Sequence, residues 1–103
     1  MVVGTLVVDL LLGDVHSLKG KRSVVRPLVA ELRRRFEVAA AETGSLELHR
    51  RAEVAVALVS STRTHAVEVL DACERLVADR PEVQLLSARR HVLDDEDLDG
   101  WAR

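Results

Sequence analysis

The chain has 103 residues, 48% hydrophobic and 31% charged, with a formal net charge of -2. At this length two cores could not each bury enough surface to offset chain entropy, so one domain is expected, and the composition excludes a disordered or fibrous chain over most of its length. The longest apolar stretches, such as Leu6 to Leu12, which Asp9 interrupts, fall far short of the roughly 20 residues of a membrane span, so with no export leader ahead of the first strand no membrane partner and a cytoplasmic location are expected.

Val2 to Leu12 reads as a strand ended by Gly13-Asp14. Its even positions, Val2, Gly4, Leu6, Val8, Leu10 and Leu12, are wholly apolar and its odd face mostly so, which predicts a central strand. From Leu18 to Phe36 apolar residues follow one face of a helix with Ser17 as N-cap. Pro27 leaves two beginnings open: a kinked helix from residue 18, or a regular one from near Arg26 with the preceding basic segment as a turn. Val38 to Thr43, ending at Gly44, and Ala52 to Ser60 read as two strands of a hairpin joined by a long polar loop. Thr62 is the N-cap of a second helix whose stripe is Ala66, Val69, Leu70, Cys73, Leu76 and Val77, ending near Asp79 before Pro81. Val83 to Val92 is a more polar strand suited to a sheet edge, and residues 93–103 are expected to form an acidic tail of low order.

Strand, helix, strand, strand, helix, strand is the ferredoxin-like βαββαβ order, an α+β sandwich with a four-stranded antiparallel sheet and both helices on one face. Right-handed crossovers put the first and third strands in the centre, and these are also the two most apolar. The expected organisation is one domain over residues 1–92 and a tail over 93–103.

Little in the chain points to catalysis. The four histidines, His16, His49, His65 and His91, show no metal-ligand spacing, and the lone Cys73 cannot form an internal disulfide. Ser17, Ser60, Ser61 and Cys73 lack a context that would activate a nucleophile, and the dispersed glycines form no phosphate loop. A non-enzymatic protein without metal or cofactor is expected. His16 beside Ser17 is the pair that borders the most charged segment.

Charge is unevenly distributed: Lys19 to Arg35 holds seven bases and one acid, Glu31, whereas Asp94 to Asp99 holds five acids and no base. Thirteen of the fifteen bases are arginine, and the only two lysines, Lys19 and Lys21, sit in Ser17-Leu18-Lys19-Gly20-Lys21-Arg22. Cations at a helix start oppose the helix dipole, which makes an anion the expected counterpart there. Ser17, Lys19, Lys21 and Arg22 are therefore the candidate anion seat, extended by Arg26, Arg33 and Arg34 into a stripe able to follow a nucleic-acid backbone, with Arg50 and Arg51 as neighbours in the loop. The acidic tail could fold back on this stripe, with Trp101 as its anchor. The sheet face away from the helices would present Val3, Thr5, Val7, Ala55, Ala57 and Val59. None is aromatic, so base stacking is not expected there, and an apolar face of this kind calls for a cover: either the tail or the long loop, or, the reading preferred, self-association into a dimer.

Ser17-Leu18-Lys19-Gly20-Lys21-Arg22, Arg35-Phe36 closing a helix, Ala41-Glu42 before a turn and Arg51-Ala52-Glu53 opening a strand resemble the YlxP-like family, a bacterial domain of unknown function, over about Val2 to Val92. This chain has Gly20 where members usually carry Glu, which removes a capping box with Ser17, and His49 where they carry Trp. The resemblance implies a ferredoxin-like fold with no established activity, and genes often beside those for translation and ribosome maturation. It favours RNA or a ribosomal particle as the partner, with an acidic protein or a small anionic ligand as alternatives.

Overall fold

Strand β1 (Val2–Leu12) alternates buried and half-buried residues along its whole length, because its even positions face the helices and its odd positions the other side of the sheet. A computed structural model describes residues 1–101, apart from the Trp101 side chain. The remaining elements are α1 (Leu18–Phe36), β2 (Ala39–Gly44), β3 (Arg51–Ser60), α2 (Arg63–Ala78), β4 (Val83–Leu93) and α3 (Asp95–Trp101). The sheet order is β2-β3-β1-β4, with every neighbouring pair antiparallel. This is the expected ferredoxin-like arrangement, with β1 and β3 central and the polar β4 at an edge.

The core lies between the even residues of β1 and β3 and the apolar stripes of the helices, Val25, Leu28 and Leu32 on α1 and Ala66, Leu70, Cys73 and Val77 on α2. Gly4 lets α2 come close: a Cβ there would stand 3.2 Å from Leu70 Cδ1 and 3.3 Å from Leu58 Cδ2. Burial pushes the Cys73 thiol up to about 11. Cys73 is therefore expected to resist iodoacetamide at pH 8 until the protein unfolds. Labelling of the native protein as fast as of a denatured sample would contradict the packing.

The first helix takes the earlier of the two beginnings left open by Pro27. Ser17 has extended backbone, φ -156° and ψ 163°, its Oγ accepts the Gly20 N–H at 3.0 Å, and the helix runs unbroken through Pro27. Pro27 is exposed, so its missing N–H and its ring fall on the solvent side of the helix. Glu37, at φ 50°, ends the helix in the left-handed region. A Cβ at Gly20 would meet Ser17 Oγ at 3.4 Å and Val15 Cγ1 at 3.6 Å, ordinary packing distances. Gly20→Ala is thus expected to stabilise the protein by about 0.5–1 kcal/mol through the entropy of the unfolded chain, read as a higher midpoint in urea. A lower midpoint would show that the first turn needs glycine.

The acidic segment differs from expectation. Instead of lacking order, it carries the short helix α3, where Asp94 Oδ1 accepts the Asp97 N–H and Asp97 Oδ2 accepts the Asp94 N–H, both at 3.0 Å. The backbone bond from Asp97 holds the Asp94 carboxyl below its ordinary range. Its ionic contacts go to the Met1 amino group, 2.8 Å from Asp95 Oδ2, and to Arg63. These lie at the end of the sheet where β1 begins, opposite the end where α1 begins, so this part of the segment does not dock on the basic hexapeptide. The expected anchoring by the Trp101 side chain lies outside the described residues.

Candidate functional site

The basic segment divides into two parts with different roles. Lys21 was expected to hold an anion; it is instead 2% exposed, on the core side of α1. Its Nζ donates to the Ser45 carbonyl at 2.6 Å and lies 2.7 Å from Glu42 Oε2, an ionic contact without hydrogen-bond alignment. Lys21 is one helical repeat before Val25, Leu28 and Leu32, so the periodicity that buries those three buries it too. Its stem packs in the interior while its head ties α1 to β2 and to the loop that follows β2. The Gly20 N–H is likewise occupied, by Ser17 Oγ. The seat of Ser17, Lys19, Lys21 and Arg22 around one anion is therefore not assembled.

Lys19, Arg22, Arg26 and Arg33 remain exposed. At 100° per residue they fall within an arc of about 60° on one flank of α1, a row about 21 Å long from Lys19 to Arg33. Arg33 is steadied by its Nε, which donates to the Ala40 carbonyl of β2 at 2.9 Å. Arg34 is exposed but stands about 100° round the helix from Arg33, beside the row.

The row differs from most of the protein's other arginines in its partners. Arg90 bonds Glu74 and Asp71, which strengthen its hold on its proton. Arg80 and Arg35 share Glu31, Arg89 faces Glu53 and Asp9, and Arg63 faces Asp94. Among the described residues, no carboxylate pairs with Lys19, Arg22, Arg26, Arg33 or Arg34. The row is a solvated helix face, not one laced with salt bridges.

Val3, Thr5, Val7, Ala55, Ala57 and Val59 do share the sheet face opposite the helices, as cross-strand partners Val3↔Val59, Thr5↔Ala57 and Val7↔Ala55. Val59 is 70% exposed, and the other five are half-buried. Beside them, Ala39 and Ala41 pair with Ala57 and Ala55, forming the floor of a shallow apolar groove that Arg33 borders. Sequence reasoning did not include Ala39 and Ala41, because three consecutive alanines, Ala39 to Ala41, carry no alternation; the pairing register alone puts them on this face.

A second depression, about 730 Å³, opens at the end of the sheet where β1 stops and α1 begins. It is lined by His16, Ser17, Gly20 and Val24 around the start of α1, by Arg50 from the β3 side of β1 and by Pro81, Glu82 and Val83 from the β4 side. The His16-Ser17 pair is thus on a cleft wall. Nothing in the sequence joins Arg50 to Glu82, which are neighbours only through the sheet. Among the described residues, no group of three or more His, Cys, Asp or Glu side chains is gathered as a metal site would be, and no helix is long and apolar enough to cross a membrane.

Fold and site together define a small ferredoxin-like α+β domain carrying an unpaired row of cations on its first helix. The chain belongs to the family described as "Protein of unknown function (DUF503)", whose model matches residues 3–90. No curated protein matches it.

Proposed function

We propose that the protein is a non-enzymatic accessory factor that binds structured RNA, or a ribosomal particle, through backbone phosphates held by Lys19, Arg22, Arg26 and Arg33, with Arg34 alongside. The observation that carries this reading is the lack of carboxylate partners along the row. Guanidinium groups left unpaired on one helical face favour a polyanion over a single ion, because each neutralised phosphate releases counterions. The open sheet face has no aromatic residue, which favours contacts to phosphates over stacked bases. The resemblance to the YlxP-like family and its translation-linked gene neighbours supports the same partner. Titration of a fluorescent RNA duplex over a range of salt concentrations tests it: binding is expected to weaken steeply with salt, and salt-indifferent or absent binding defeats the proposal.

A second reading concerns the open sheet face, which would pack against a second copy of the chain. One of the cations on it, Arg89, is already neutralised within the chain, 3.4 Å from Glu53 and 3.9 Å from Asp9, while Arg33 and Arg51 stand at its margins. The centre of the face is apolar, with protruding Val59 and an alanine floor that can complement each other across a two-fold axis. In sedimentation equilibrium a dimer is expected that Ala57→Glu converts to monomer; a monomeric wild-type protein at micromolar concentration would remove this reading and leave the first standing.

A further inference from the structure

We propose that the cleft at the end of β1 binds a small zwitterion with an apolar side chain, of amino-acid or dipeptide size. Its volume of about 730 Å³ is within the range of small-molecule sites. Its walls carry charges of both signs, Arg50 against Asp14 and Glu82, and among the described residues none of the three is in an ion pair.

The sheet explains why these opposite charges do not satisfy each other. The Leu12 N–H donates to the Arg50 carbonyl at 2.8 Å, and Arg50 Nε donates back to the Leu12 carbonyl at 3.0 Å, fixing the guanidinium on the β3 side of β1. The Gly13 N–H donates to the Glu82 carbonyl at 3.4 Å, fixing Glu82 on the β4 side. Two strand spacings, roughly 10 Å, therefore separate the two backbones. With Nε committed to Leu12, the two terminal guanidinium nitrogens of Arg50 are free to grip a carboxylate end-on.

Between the charged groups, Val15, Val24 and Val83 supply an apolar wall. A carboxylate at Arg50, an ammonium at Asp14 and Glu82, and an aliphatic side chain against the valines match all three kinds of surface at once. Phosphate and other plain anions match less well, because the two acids would repel them. The cleft is also separate from the cationic row: Gly20 and Val24 stand roughly 130–170° round α1 from the centre of that row.

The test is an amide chemical-shift titration of the full chain with leucine, leucyl-leucine, N-acetyl-leucyl-leucine and leucyl-leucinamide. Saturable shifts are expected at Asp14 to Val24, Arg50 and Glu82 to Gln84, from leucine, leucyl-leucine or both. Leucine binding more tightly assigns the cleft to free amino acids, and the dipeptide binding more tightly assigns it to peptides. Capping either end of the dipeptide is expected to weaken binding at least tenfold, as are Arg50→Gln and Glu82→Gln, whereas Lys19→Ala and Arg22→Ala leave it unchanged. No saturable shifts from either uncapped ligand, shifts centred elsewhere, or capped dipeptides bound as well as the free one would overturn the assignment.

Discussion

Lys21→Met is expected to lower the stability of the protein by about 2–3 kcal/mol, about 10–20 °C in Tm for a domain of this size. Methionine keeps most of the buried stem but leaves Glu42 without its cation and the Ser45 carbonyl without its donor. Breaking a fully buried pair costs about 3–5 kcal/mol; the Glu42 side chain is 22% exposed, so water relieves part of that penalty here. Removing both charges, as Lys21→Met with Glu42→Met, should recover most of the loss, because an apolar pair of similar volume needs no compensation for desolvation. Urea denaturation of the two single variants and the double variant measures the coupling directly. Equal losses in Lys21→Met and the double variant would show that the ion pair is not what the lysine contributes.

The second large effect is on binding. Changing Lys19, Arg22 and Arg26 together to Ala should weaken RNA binding by roughly tenfold to a hundredfold at moderate salt, at up to about 1 kcal/mol for each exposed charge removed. It should also flatten the slope of log affinity against log salt by about three, roughly one for each phosphate no longer neutralised. Arg33 is left intact in this variant because its Nε also serves the Ala40 carbonyl, so its removal would mix a structural cost with a binding one. Lys21→Met, held at a temperature where it stays folded, should bind RNA with the wild-type slope. The pair of variants therefore separates the two halves of the basic segment: a flatter slope in Lys21→Met, or an unchanged one in the triple variant, would reverse the assignment.

The regular elements were legible because each carries its own period. The unbroken apolar face of β1 and the stripe from Ala66 to Val77 predict their burial without reference to any other part of the chain. The Thr62 cap was legible for the same reason, and its Oγ1 accepts the His65 N–H at 3.1 Å. Lys21 is the exception although the signal is present: it occupies the core position of the heptad-like series with Val25, Leu28 and Leu32, but its residue type suggests solvent. Residue type loses to periodicity when a partner carboxylate waits at the end of the stem, and Glu42, on a different element, was invisible as that partner.

What the sequence determined by itself is the set of elements, their amphipathic faces, the strand order that right-handed crossovers allow, and the concentration of cations on the first helix. All follow from local backbone geometry and from burial that each segment seeks independently. The tertiary structure decided which of those cations face solvent and which one is an internal tie. It also brought Arg50 and Glu82 to one cleft across β1, and put the acidic segment at the far end of the sheet from the basic one. Those outcomes depend on pairing register and on ion pairs between residues distant in the chain, which no local period encodes.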